Sequence, residues 1–454
     1  MNPLDGWLTQ GVAAVDAWRS GFGAYQEHPA QQVDPDRFAA AFKEFTERLG
    51  DNYPYFHPDY VGQMLKPPHP VAVAGYLTAM LINPNNHAQD SGPATARMER
   101  EAIAELARMF GFGTHLGHLT SSGTIANLEA LYVARESHPG KGVAFSAESH
   151  YTHGRMCGVL GIEGTSVPVD DRSRMDLDAL EDVLKKGDVG TVVLTAGTTG
   201  LGAIDPIHEA LVLKERYGVR LHVDAAYGGF FVLLAHPSSP EPIAPEPWRA
   251  IAGCDSVVID PHKHGLQPYG CGAVLFADPS VARFYLHDSP YTYFTDAEFH
   301  LGEISLECSR AGAAAAAFWL TLQVFPLRPD GLGAFLAASR RAALAWAEEI
   351  TRSPHLSLYQ PPELDIVAYF PTAATLSEID AASARVMTEG MAAGHDPVFV
   401  SALRIGAEAF ARRHPGVRAD ADAARVLRSV LIKPEAQSHV DRLHRIERLA
   451  ARAG

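Results

Sequence analysis

The chain has 454 residues, about three times the ~150 residues of a typical domain, which excludes a single small domain. Its 47% hydrophobic and 20% charged residues are ordinary for a globular protein with several cores. The 38 Lys+Arg against 53 Asp+Glu leave a net charge of -15, which argues against nucleic acid or an anionic membrane surface as a partner, since both need clustered positive charge. The opening MNPLDGWLTQ has neither a basic n-region nor an apolar core, so no leader is expected. No run approaches ~20 apolar residues, so no membrane span is expected either. Cys157, Cys254, Cys271 and Cys308 are too few and too scattered for a disulfide framework or a C-x-x-C site, and the expected setting is the reducing cytoplasm.

Along the chain, helices are expected at 8–19 and 35–48, followed by a stretch at 56–70 rich in Pro and His. Residues 1–93 lack a core of their own and are expected to form an arm lying across another surface, such as a partner subunit. The spacing of Met98, Ile103, Leu106 and Met109 predicts a helix over 94–110, with Gly111 as its stop. From about 115 to 278, β-rich runs (143–146, 166–169, 191–195, 220–225, 256–260, 272–276) alternate with helical ones (125–135, 177–186, 207–217, 280–286). Several strands are apolar throughout, as when helices cover both faces, so the pattern predicts a doubly wound, mostly parallel α/β sheet. This large domain is expected to span 94–325. An Ala-rich helix at 313–325 ends it at Pro326, and a smaller C-terminal α/β domain, 326–454, follows, with a helix over 333–352 and further elements at 364–370, 376–390, 426–432 and 436–451.

The chemistry concentrates at strand C-termini, where such sheets bind ligands. His262 and Lys263 directly follow the strand 256–260; a partly dry lysine there can form an imine, although a loop lysine on the surface is the commoner meaning of such a residue alone. Asp224 closes the strand 220–225. With no accompanying His or carboxylate cluster, a metal is disfavoured, and the alternatives are a cap or a carboxylate holding a proton on a ring nitrogen. Thr120, Ser121, Ser122, Gly123 and Thr124 precede a helix whose free N–H groups suit a phosphate, or make a plain N-cap. His150 after the strand 143–146, and Thr198 and Thr199 with Asp205 after 191–195, stand at equivalent positions.

Taken in order, HPDYVGQM, NPNN…GPATARMEREA, TSSGTIANLEAL, HYTHGRMCGVLG, TAGTTGLGAIDPI, HVDAAYGG, DPHKHG, SRAGAAAAAFW and LRSVLIKP resemble the group II pyridoxal-phosphate-dependent amino-acid decarboxylases, nearest to the bacterial tyrosine decarboxylases, over about 56–434. The resemblance implies a fold-type-I α/β enzyme holding pyridoxal 5'-phosphate and releasing CO2 and an amine from an L-amino acid. It implies that Lys263 anchors the cofactor, Asp224 faces the ring nitrogen, and His150 stacks on one ring face with Ala226 on the other. Ser121, Ser122, Gly123, Thr124 and His262 would hold the phosphate, and Thr198 and Thr199 would lie near the ring. Ser309, with Arg310, would approach the phosphate region from a second subunit of a homodimer. Tyr291 or Tyr293, with Tyr293 preferred for its Tyr-Phe setting, would be the acid that protonates the product. Tyr60, Gln63, Asn85, Asn86 and His87 would face the side chain of the amino-acid substrate; they lack an Arg clamp, which favours a tyrosine-like substrate over glutamate or aspartate.

Three alternatives remain at this point. Decarboxylation coupled to oxidative deamination would give an aldehyde, an outcome that changes at the stacking His or loop Tyr would favour. An aminotransferase would use an Arg of the small domain, for which Arg428 is the candidate. A silent scaffold would have no need of Lys263, Asp224 and His150 together.

Overall fold

Two sheets organise the chain in this computed structural model, which describes residues 3–286, 300–392, 394 and 397–453. The larger has seven strands: β1 (Leu116–Thr120), β2 (Gly142–Ser146), β3 (Gly164–Val167), β4 (Val189–Thr195), β5 (Arg220–Asp224), β6 (Ser256–Ile259) and β7 (Gly272–Phe276). Their spatial order is β1-β7-β6-β5-β4-β2-β3, with β7 antiparallel to both of its neighbours and the pairs from β6 to β3 parallel. All seven residues of β4 are buried. Val192 and Leu194 pack into one core with Leu180, Leu184, Ile207 and Ala210, while Val193 packs with Leu131, Met156 and Cys157 on the other face. That two-residue alternation between helix-covered faces is why the strand carries no polar stripe.

The expected doubly wound sheet is present, with local differences. β1 was not anticipated: His118 interrupts its apolar run, and it pairs antiparallel at the sheet edge. The third strand lies two residues earlier than expected, and the helix expected at 280–286 is a 3-10 turn, Pro279–Phe284. Helices Pro70–Met80 and Thr152–Leu160 also went unread. The first is apolar nearly all round and the second is interrupted by Gly154 and Gly158, so neither has a legible helical stripe.

The smaller sheet contains β8 (Leu356–Gln360), β9 (Ile366–Pro371), β10 (Ser401–Gly406) and β11 (Ala423–Val430), in the order β10-β11-β9-β8 and wholly antiparallel. Of these only β9 and part of β11 match elements expected from the sequence. Helix Leu332–Arg352 joins the two sheets, with Leu332, Leu336 and Ala337 in the large core and Ala342, Trp346 and Ile350 in the small one. An N-terminal strap is seated on the small sheet. Tyr60 bridges Phe399, Val61 N–H donates to Phe399 O (2.9 Å), Val430 N–H donates to Val61 O (2.7 Å) and Ser401 Oγ donates to Gly62 O (2.7 Å). No described helix is long and apolar enough to cross a membrane.

Candidate active site

A cavity of about 260 Å³ opens at the C-terminal ends of β2, β4, β5 and β6, beside the N-terminus of helix Gly123–Ser137. It is lined by Ser122, Gly123 and Thr124 from that helix start, His150 after β2, Thr195 and Thr199 at the end of β4, Asp224 and Ala226 at the end of β5, and Asp260, His262 and Lys263 after β6. Parallel strands bring these segments together because each chain end emerges on the same edge of the sheet.

Ser122 caps the helix, its Oγ accepting from Ile125 N–H (3.3 Å). The early N–H groups of the helix face the cavity without intrahelical acceptors, which is an anion site with a favourable dipole. Glycine is required at 123: a Cβ there would lie 2.6–2.9 Å from the Asp260 carboxyl atoms. Asn127 Nδ2 donates to Gly123 O (2.9 Å), and its Oδ1 accepts from His222 Nε2 (2.9 Å). His222 Nδ1 in turn meets Ser256 Oγ (2.8 Å), so one fully buried imidazole ties the helix start to β5 and β6. Burial, helped by His153, pushes His222 down to about 3, so it is neutral at ordinary pH.

Lys263 Nζ lies 3.0 Å from Asp260 Oδ2. The other oxygen, Oδ1, is buried without a hydrogen-bond partner. His262 donates Nδ1–H to Cys271 O (2.8 Å) and is lowered by burial against the pull of Asp260. Asp224 Oδ1 accepts from Ala226 N–H (3.1 Å) and Oδ2 from His153 Nε2 (2.9 Å). Burial alone would raise Asp224, but the His153 bond and charge, the Ala226 amide and Lys263 hold it well below the usual carboxylate range. His150 Nδ1 accepts from Thr152 N–H (3.3 Å), so the neutral ring carries its proton on Nε2. Burial lowers His150, with Asp224 opposing and Lys263 and His153 reinforcing.

Of the residues singled out from the sequence, Ser122, Gly123, Thr124, His150, Thr199, Asp224, Ala226, His262 and Lys263 come together on this cavity. Thr198 is fully buried beside it, its Oγ1 accepting from Ala203 N–H (3.1 Å) to close a turn. Asp205 is also a brace: its oxygens accept from Met175 N–H (2.6 Å) and Thr195 N–H (2.7 Å), and burial pushes it up to about 7. Ser121 and Ser309 line a second cavity of about 200 Å³ with Glu99, Glu307 and Arg310. Asn85 belongs to this neighbourhood, donating to Ser309 Oγ (3.1 Å), whereas Asn86 is fully buried on Glu99 (2.6 Å). His87 packs its backbone against Gly302 (2.8 Å), and Tyr60 is buried among Tyr53, Tyr55 and Phe399, with its carbonyl taking Lys433 Nζ (2.6 Å); none of these four lines the larger cavity. Tyr291 and Tyr293 lie outside the described residues.

Sequence reasoning missed Asn127, His153, Thr195, His222 and Asp260. Asp224 and His222 stand two apart on one strand and therefore share a face, a signal that could have found His222. Arg428 is taken up entirely by structure: its guanidinium donates to Thr199 O (2.7 Å), Gly200 O (3.0 Å), Ser401 Oγ (3.2 Å) and Gly62 O (3.4 Å).

The cavity thus offers an anion cradle, a lysine and an ionised carboxylate on one lining. That donor set fits a small cationic ring that bears an aldehyde and a phosphate, and the unpartnered Asp260 oxygen beside Lys263 leaves polar capacity for it. Comparison with known proteins points the same way. A family model described as "Pyridoxal-dependent decarboxylase conserved domain" matches residues 29–370. An L-tyrosine decarboxylase of Enterococcus faecium is 30% identical over 411 residues, 69% of this chain and 67% of that protein. A probable L-tyrosine/L-aspartate decarboxylase of Methanosphaerula palustris is 31% identical over 285 residues, 62% and 73% of the two chains. Among solved structures, Oryza sativa TDC with PLP and tryptamine superposes with a TM-score of 0.80 at 18% identity, covering 100% of this chain and 98% of that one; at such identity the likeness is one of fold.

Proposed function

Because the chain belongs to the pyridoxal-dependent decarboxylase family and is a pyridoxal-phosphate-dependent amino-acid decarboxylase, we propose that it converts an aromatic, tyrosine-like L-amino acid to its amine and CO2. One observation carries the choice of substrate. Among the described residues, the cavity lining includes no arginine, and its one cation, Lys263, is paired with Asp260. Burial keeps His150 and His262 low, so neither offers a ready positive charge. A side-chain carboxylate would enter uncompensated, at a cost of several kcal/mol, whereas an aromatic ring would not. The Enterococcus faecium relative is named for tyrosine, which agrees with this choice, while the Methanosphaerula palustris relative is named for tyrosine and aspartate alike.

Bound pyridoxal phosphate supplies an aldehyde for the substrate amine and a ring that accepts the electron pair left when CO2 departs. In this reading the N–H groups at the start of helix Gly123–Ser137, with Ser122 and Thr124, bind the phosphate. Lys263 Nζ, on the cavity wall beside Asp260, would hold the cofactor through its aldehyde. Asp224 keeps a proton on the ring nitrogen. The His150 imidazole covers one face and excludes water from it, while Ala226 is small enough to let the ring lie close on the other. A tyrosine hydroxyl, at 293 or 291, returns the proton to the substrate carbon, so the product is an amine. The bonds of Arg428 to four backbone or hydroxyl oxygens make it a brace for the Thr199 loop, which disfavours the aminotransferase alternative.

A homodimer and a cytoplasmic setting complete the proposal. Helix Pro35–Leu49 buries none of its residues in the chain, yet Phe38, Phe42, Phe45 and Leu49 form an apolar stripe with each residue at least half exposed. Such a stripe suits a second copy of the arm. All four cysteines are free, as suits a reducing compartment. The test is CO2 release from a panel of tyrosine, phenylalanine, tryptophan, DOPA, glutamate and aspartate, with amine, ammonia and peroxide quantified. Turnover of the acidic members alone would overturn the substrate assignment, and ammonia with peroxide in place of amine would overturn the product.

A further inference from the structure

His153 is the one histidine of the site that touches Asp224. It sits in the first turns of helix Thr152–Leu160, three residues after His150, fully buried, with Nε2 2.9 Å from Asp224 Oδ2. An ionised carboxylate only accepts, so the imidazole donates Nε2–H to it. Its other nitrogen, Nδ1, is buried with no hydrogen-bond partner. Two other fully buried histidines behave differently. His118 bonds through both nitrogens, to Leu119 O and Glu129, and His222 does so to Ser256 and Asn127. A buried polar atom left unsatisfied is costly, and native folds keep few of them. The His153 ring therefore gives its one side-chain hydrogen bond to Asp224, and it stands 6.1 Å, tilted, from the ring of Phe145.

We infer that His153 is a positioning residue for the cofactor: through Nε2–H it fixes the orientation of the Asp224 carboxylate and so secures the cationic ring nitrogen that this carboxylate faces. The inference rests on the assignment of Asp224 to the ring nitrogen. The backbone N–H of Ala226 holds the second oxygen of Asp224 at 3.1 Å, so His153 and Ala226 between them leave the carboxylate little freedom to turn. Among the influences that hold Asp224 ionised, the His153 bond is the largest. An apolar residue at 153 would leave Oδ2 with a vacant lone pair in a buried site, free to rotate toward Lys263 or recruit water.

The experiment compares His153→Leu, His153→Phe and His153→Gln with Asp224→Ala, in the full-length enzyme, with far-UV circular dichroism as the check of folding. Two quantities are read: the dissociation constant of pyridoxal phosphate, and the pH at which the visible band of the bound cofactor changes. Leucine and phenylalanine should each weaken cofactor binding by about tenfold or more, the usual worth of a hydrogen bond to a charged group, and should displace the spectral transition. Glutamine, whose Nε2–H reaches the same place, should restore both to within about threefold of wild type. Wild-type binding and spectrum in a folded Leu or Phe variant would overturn the inference, as would a glutamine variant no better than leucine. Asp224→Ala separates the two levels: if it binds and absorbs as wild type, the assignment of Asp224 fails, whereas impairment there with a normal His153→Leu sinks only the role of His153.

Discussion

His222 makes a prediction whose size follows from its burial. Its native value, about 3, lies below the ordinary 6.5 that the unfolded chain retains. Between those limits the unfolded state binds the proton and the native state does not, so stability falls as pH falls, by about 1.4 kcal/mol per unit. Asp205 runs the other way: with a native value near 7 against 3.8 unfolded, it holds a proton in the fold that the unfolded chain has lost, and acid favours the native state by a similar slope. The two contributions nearly cancel in the wild type, whose stability should change little from these groups between about pH 6.5 and 4.5. His222→Gln removes one of them. The variant has two weakened hydrogen bonds at every pH, but the gap to wild type should shrink by about 2.3 kcal/mol over those two units, since the unfolded histidine is half protonated at the upper limit. Urea unfolding of both proteins at about pH 6.5, 5.5 and 4.5, at fixed ionic strength, reads the gap directly. A gap constant to within about 0.5 kcal/mol would refute the claim that a neutral, buried imidazole ties the cradle helix to the sheet.

Gly123→Ala should weaken pyridoxal phosphate binding by roughly tenfold or more, measured by cofactor titration, because its Cβ would displace the Asp260 carboxylate at the mouth of the cradle. Arg428→Lys should destabilise the protein by about 2–4 kcal/mol in urea, since one ammonium cannot span the four oxygens that the guanidinium reaches. Phe42→Asp should raise the dimer dissociation constant by about thirtyfold or more in sedimentation experiments; an unchanged constant would remove helix Pro35–Leu49 from the interface.

Much of the large sheet was legible because its strands are apolar on both faces and its helices are striped, so period and length agree on each element. β4 and helix Ile207–Tyr217 are of this kind. Legibility failed where a residue's surroundings come from distant chain. β1 is held by an antiparallel partner about 155 residues away in sequence, and His118 within it looks like a loop residue until Glu129 is seen opposite. In the site, Lys263, Asp224, His150 and the Ser122–Thr124 turn stood out because the resemblance and the strand ends coincide. His153 and Asp260 did not, because an isolated His or Asp beside a motif has no pattern of its own. Asn86 shows the opposite failure: a polar residue in a suggestive loop is held on Glu99 and Thr95 inside the fold. Tyr60 likewise reads as a ligand contact but serves as an aromatic wedge whose carbonyl receives Lys433.

The strap at 60–62 has a consequence for biosynthesis. Its seat is made by Phe399, Ser401, Val430 and Lys433, more than 330 positions downstream. A ribosome emits the strap more than 330 residues before its receptor, so the early segment must wait, unpaired, while all of that chain is made. Closing so long a loop costs little more at equilibrium than closing a shorter one, but it delays the final docking. Fragments cut anywhere in the middle should consequently leave one half with a vacant groove and the other with a sticky tail, and co-expression of the two halves should recover more folded protein than either half alone.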